Sequence, residues 1–146
     1  MAHAHTLIVE QLPKGATVAS FMSAVDSIGR WRYDYLYLPI HNNGYDIQGF
    51  ACINFASTEE AVQFCLAVSG LRLHGSDQPL VVSIALQQGI SENLKALGST
   101  WRRRLKKAEK AVAKGFSTGL GLPYLRRDGV MTPIMSEEES DQRIHG

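Results

Sequence analysis

The sequence predicts an α+β fold: a ferredoxin-like βαββαβ sandwich, with a four-stranded antiparallel sheet, two helices on one face and an added C-terminal amphipathic helix. Three observations predict it. Apolar, β-branched runs of strand length recur at 6–12, 33–38, 49–55 and 80–86. After the first and the third of these runs, the apolar residues switch to helical spacing. Charge is also split along the chain. Residues 1–90 carry 4 Lys/Arg against 7 Asp/Glu, residues 91–114 carry 8 against 2, and residues 115–146 carry 3 against 5. The positive charge of a chain with net charge +1 is therefore gathered in one short segment.

Residues 6–12 (TLIVEQL) end at Pro13-Lys14-Gly15, a turn signal. Thr17 then serves as N-cap of a helix reaching Ile28, because Val18, Phe21, Met22, Val25 and Ile28 share one face and Gly29 closes it. Residues 33–38 (YDYLYL) form the second strand, stopped by Pro39, and the loop HNNGYDIQ leads to the third strand at 49–55. Ser57-Thr58-Glu59-Glu60 has the capping-box pattern, so a second helix starts there and buries Ala61, Phe64, Cys65 and Val68 before Gly70. The turn HGSDQP precedes the fourth strand, LVVSIAL. In such a fold the helices cover one sheet face and leave the other open. Alternation assigns Gly49, Ala51, Ile53 and Phe55 to the covered face and Gln48, Phe50, Cys52 and Asn54 to the open one. On the first strand Ile8, Glu10 and the end at Leu12 share the open face.

QGFACINF, residues 48–55, fills six of the eight slots of the RNA-recognition octamer K/R-G-F/Y-G/A-F-V-x-F/Y. Gln48 takes the basic slot and Cys52 an aromatic one. From about residue 6 to 97 the chain resembles the C-terminal RNA recognition motif of the Mei-two-like RNA-binding proteins. The resemblance rests on YDYLYLPI (33–40), a polar loop, GFACINF (49–55), STEEAVQF (57–64) and the helix ISENLKAL after the fourth strand. It implies single-stranded RNA binding and a role in RNA-dependent developmental regulation. Likeness to other RNA recognition motifs places Asp34, Leu36 and Leu38 on the open face and turns Tyr33, Tyr35 and Tyr37 toward the helices. Ile8, Gln11, Gln48 and Cys52 depart from the general pattern, and Ile8 and Cys52 stand where aromatics are usual. Each stacked base contributes roughly 1–3 kcal/mol, so two lost platforms remove about 2–6 kcal/mol, or about 30- to 10,000-fold. The sheet alone is expected to bind weakly.

Between Ser91 and Lys114 the apolar residues Leu94, Leu97, Trp101, Leu105, Ala108 and Val112 follow intervals of 3, 4, 4, 3 and 4, which predicts an amphipathic helix. Ser91 is its expected N-cap, Gly98 a hinge and Gly115 the residue after the C-cap. Three uses compete for it. The basic face can follow phosphates, the apolar face can cover the open sheet, or the whole can serve as a segment for a protein or a membrane surface.

The chain thus divides into a flexible 1–5, an RNA recognition motif at 6–90, the basic helix at 91–114 and a mostly disordered, Gly/Pro-rich and acidic tail at 115–146. The expected function is binding of single-stranded RNA. Ile8, Leu36, Gln48, Phe50, Cys52 and Asn54 would act on the sheet, and Arg102, Arg103, Lys106, Lys107 and Lys110 on the helix. The alternative is a protein-interaction motif whose sheet is covered by its own helix or by a partner protein reached through 91–114. No catalytic set, cofactor or metal site is expected, His3 and His5 being read as part of a loose terminus. No run is long enough to span a membrane. Two cysteines without metal spacing fit an intracellular protein, nuclear or cytoplasmic. Disorder is the default for the acidic run 136–141, and shielding of the basic helix in the absence of RNA is a secondary use it could serve.

Overall fold

A computed structural model describes residues 4–41, 46–116 and 118–145. His3 and the loop residues 42–45 lie outside them. The elements are β1 (Thr6–Glu10), α1 (Val18–Asp26), β2 (Tyr33–Tyr37), β3 (Phe50–Phe55), α2 (Thr58–Val68), β4 (Val81–Ile84), α3 (Ile90–Leu97), a 3-10 turn at Gly98–Thr100, α4 (Trp101–Ala113), β5 (Tyr124–Arg127), β6 (Val130–Pro133) and α5 (Glu137–His145). The first six follow the βαββαβ order, and every strand pair is antiparallel. The sheet order β4-β1-β3-β2-β5-β6 has two strands more than expected.

Local chemistry explains the two early helices. Thr17 caps α1, accepting from the Ser20 backbone N–H at 3.0 Å while the Ser20 hydroxyl accepts from the Thr17 N–H at 2.8 Å. Ser57 caps α2 in the same way. The expected reciprocal arm is absent there, because the Glu60 carboxylate accepts the Arg32 backbone N–H instead. Val18, Phe21 and Val25 of α1 and Ala61, Phe64 and Val68 of α2 pack on Leu7, Val9, Ala51, Ile53 and Phe55, as alternation required of β1 and β3.

On β2 the alternation fails. A bulge between Tyr33 and Tyr35 lets Asp34 and Tyr35 both oppose Asn54. Tyr33 stays in the α1/α2 core, Leu36 and Leu38 join it there, and Tyr35 and Tyr37 turn to the opposite face. Leu36, expected on the open face, is 0% exposed on the covered one.

Nor is the opposite face open. Tyr35, Tyr37 and Cys52 form a second core with Leu94 and Leu97 of α3, Trp101 and Ala108 of α4, and Leu122, Leu125 and Ile134. These last three residues correct the expected disordered tail. Residues 124–133 form a hairpin whose two-residue turn has Asp128 at φ 50° and Gly129 at φ 80°, the Asp-Gly turn that matches strand twist. β5 pairs with β2, and α5 packs on α3. Glu139 meets Arg127, so the acidic run closes on the hairpin and α3 rather than on α4.

Further corrections concern element ends. The helix expected over 91–114 is broken at its expected hinge, Gly98 (φ 59°, ψ −139°), whereas α3 is capped at Gly89 rather than Ser91. At the C-terminus of α4 the Phe116 N–H donates to the Ala111 carbonyl and the Gly115 N–H to the Val112 carbonyl, with Gly115 at φ 93°. Ala111 is buried where Val112 was expected, because the stripe of a straight helix drifts from the counted spacing. Of the N-terminus, Ala4 is buried, and the His5 backbone N–H donates to Gln88 Oε1 at 2.8 Å.

Candidate nucleic-acid interface

The rows of side chains across β2, β3, β1 and β4 define what this face offers. Tyr35–Asn54–Thr6 forms one row, Tyr37–Cys52–Ile8–Ser83 the next, and Phe50–Glu10–Val81 the last.

The first two rows are held under α3 by polar bonds as well as apolar packing. Asn54, 3% exposed, donates through Nδ2 to Asp34 Oδ1 at 2.7 Å, and its Oδ1 accepts from the Thr6 hydroxyl and from His5 Nδ1. The Thr6 hydroxyl in turn accepts the Gly89 N–H at 2.8 Å. Asn93 on α3 donates to the carbonyls of Gln87 and Gly89 and accepts from the Cys52 thiol at 3.2 Å. Burial pushes that thiol up to about 12, so it stays protonated and acts as a donor. Burial also raises Tyr35 and Tyr37, although Arg104 opposes the rise in both. This seam is covered by α3. Cys52 and Asn54, expected to touch RNA, are part of the latch that fixes α3, and Ile8 is half-buried beneath it.

The last row is different. Phe50 is half-buried and belongs to neither core, Glu10 is exposed and Val81 is 43% exposed. Two residues before Phe50, Gln48 donates its side-chain amide to the Ile40 carbonyl at 3.0 Å. Gln48, Ile40, Arg103, Arg104, Lys107 and Gly121 line a cleft of about 120 Å³ between α4 and the β2–β3 ends.

Arg104 is held in this cleft. Its Nε donates to the Thr100 hydroxyl at 2.8 Å, an Nη donates to the Tyr37 hydroxyl, and the guanidinium lies 5.6 Å from the Tyr37 ring centroid. The basic residues of α4 thus form two groups. Arg103, Arg104 and Lys107 line the cleft, whereas Arg102, Lys106 and Lys110 are exposed outside it. Of the apolar stripe of α4, Trp101 and Ala108 are buried against the protein itself, whereas Val112 is exposed.

Of the expected residues, Gln48, Arg103 and Lys107 come together in the cleft, and Phe50 stands two residues beyond Gln48 in the exposed row. Leu36 faces the wrong side. Tyr37, Ile40, Arg104 and Gly121 were not anticipated as site residues. Arg104 carries a sequence signal, because it stands four positions from Thr100 and three from Trp101 on the inward edge of the stripe. Gly121 carries none, since its partner Ile40 is distant in sequence. Among the described residues no group of three or more His, Cys, Asp or Glu is placed to hold a metal, and no helix is long and apolar enough to cross a membrane.

Comparison with known proteins points the same way as the geometry. Residues 4–96 match the family described as RNA recognition motif 2. Protein MEI2-like 4 of Arabidopsis thaliana is 31% identical over 80 residues, covering 55% of this chain and 9% of that protein. Protein MEI2-like 1 of the same plant is 35% identical over 65 residues, 44% of this chain and 7% of that protein. The chain therefore spans less than a tenth of either relative's length. Among solved structures, the Sxl-lethal protein/RNA complex has a TM-score of 0.50 at 22% identity, covering 56% of this chain and 47% of that one. The RNA15 RRM has a TM-score of 0.50 at 14% identity, with 57% and 91% coverage. At these identities the likeness to solved structures is one of fold.

Proposed function

The chain belongs to the RNA recognition motif 2 family, of the Mei2-like type, and on that premise we propose that it binds single-stranded RNA, inside the cell and without catalysis, along the uncovered margin of its sheet rather than across the whole face. The observation that carries this reading is that Gln48, which lines the arginine-bearing cleft, stands two residues before Phe50 of the exposed Phe50–Glu10–Val81 row.

The physical division of labour is simple. Phe50 offers a ring for one base. Glu10 repels phosphate and accepts from base amino groups, so the sugar–phosphate backbone is driven toward α4. There Arg103 and Lys107, with Arg102, Lys106 and Lys110 farther out, neutralise it. Gln48 hydrogen-bonds a sugar or phosphate oxygen. The latch residues Cys52 and Asn54 act by holding α3 in place, and Ile8 supports the sheet beneath it.

A second reading, a protein-interaction motif, is favoured by one observation: α3 covers the two rows that a more open sheet would present. Fluorescence anisotropy with a panel of short single-stranded RNAs, at low and physiological salt, separates the two. RNA binding predicts that Phe50→Ala weakens affinity by about 1–3 kcal/mol, or about 5- to 150-fold. Unchanged affinity in Phe50→Ala, together with binding that vanishes at physiological salt, rejects it in favour of a protein partner.

A further inference from the structure

Six basic residues and one acid, Glu109, occupy α4, and a helix of this kind attracts any polyanion. The cleft singles out three of the six. Arg103, Arg104 and Lys107 stand at i, i+1 and i+4 and meet Gln48 and Ile40 across it. Among the described residues neither Arg103 nor Lys107 is in an ion pair. Arg104 spends two of its five N–H donors on Thr100 and Tyr37, which fix the plane of its guanidinium and leave the others for an anion.

The floor of the cleft depends on a close approach. Gly121 has φ 77°, and a Cβ built there lies 2.6 Å from Ile40 Cδ1. No other residue type fits without moving Ile40. A floor closed in this way, with three cations on one wall and an amide on the other, is shaped for one compact anion.

We infer that this cleft is a discrete phosphate-binding site that takes one backbone phosphodiester of the bound strand and sets its register relative to Phe50. The ligand's identity rests on the RNA-binding reading above, whereas the anion site rests on the cleft itself. It follows that the basic residues of α4 are unequal. Arg103 and Lys107 act in the site, and Arg102 and Lys106 contribute only to the general field.

The test uses the full chain and two double variants that each remove two positive charges from α4, Arg103→Gln/Lys107→Gln and Arg102→Gln/Lys106→Gln, with thermal melts to verify folding. Anisotropy with a labelled eight-nucleotide RNA is followed over a salt series. The first pair is expected to lose about tenfold or more in affinity and to lower the salt slope by about 0.7, the value for one phosphate on a single strand. The second pair should lose less than about threefold. Separately, inorganic pyrophosphate alone is titrated against the wild type. Side-chain N–H signals of Arg103, Arg104 and Gln48 should shift in NMR spectra, while Arg102 stays in place. Equal losses from the two pairs, or pyrophosphate shifts spread evenly over the arginines, overturn the inference. Localised pyrophosphate shifts in a chain that binds no RNA keep the anion site and reject the RNA reading.

Discussion

Leu36 and Phe50 are the residues on which the two possible faces of the sheet can be told apart. Leu36 lies fully inside the α1/α2 core, so Leu36→Ala is expected to cost about 2–5 kcal/mol in urea denaturation, while the folded fraction keeps its RNA affinity. Phe50→Ala should do the reverse, lowering affinity with little change in the denaturation midpoint. The titratable core residues add a pH signature. Burial holds Cys52 at about 12 against an ordinary 9.0. Burial first, and the nearby Asp26 carboxylate second, hold Tyr33 at about 12 against 10.0. The unfolded chain releases both protons first. The stability these groups contribute is therefore complete below about pH 9 and is lost as pH rises toward 12. Urea midpoints measured at about pH 8, 10 and 11 should fall steadily, and a constant midpoint would contradict the burial assigned to both groups. Alternation was sufficient to place Ile8, Phe50, Cys52 and Asn54, because β1 and β3 are regular. Likeness to other RNA recognition motifs, with alternation grouping Leu36 with Asp34 and Leu38, misplaced Leu36, because the bulge at Asp34–Tyr35 adds a residue that neither glycine nor proline announces.

The lid is where elements matter more than single positions. Gly98 separates α3 from α4 in a backbone region that side chains avoid, so Gly98→Ala is expected to lose about 1–3 kcal/mol in thermal or urea melts. A smaller loss would mean that α3 and α4 tolerate a continuous helix. Removal of residues 118–145 strips Leu122, Leu125 and Ile134 from the second core. The shortened chain should melt at a lower temperature and expose apolar surface to a hydrophobic dye, and an unchanged melting temperature would show that the hairpin only rests on the sheet. The Gly98 break was legible as a glycine interrupting a periodic stripe. The hairpin was legible only through Asp128-Gly129, a signal outweighed by the Gly/Pro-rich and acidic composition around it. The covering of the open face was one of the competing uses read for the helix from Leu94 and Leu97, but nothing in the sequence chose among those uses.

At the scale of the molecule, two cores sandwich the sheet, and the proposed RNA site lies along one margin. The βαββαβ frame and the basic segment were both readable, because each is a matter of order and composition. The site was only partly so. Gln48 and Phe50 come from the octamer and Arg103 and Lys107 from the basic helix, and the bond that ties this helix to the sheet, Arg104 to Tyr37 on β2, depends on a tertiary approach. The central claim is that RNA occupies this margin while α3 remains docked. The most direct measurement is backbone amide NMR of the full chain with and without a short single-stranded RNA, together with hydrogen exchange. The account predicts shifts at Glu10, Gln48, Phe50, Arg103, Arg104 and Lys107, with the amides of Cys52, Asn54 and Leu94 unshifted and equally protected. Shifts centred on Cys52 and Asn54, with protection lost in α3, would mean that RNA displaces the lid and binds the whole face, contrary to this account.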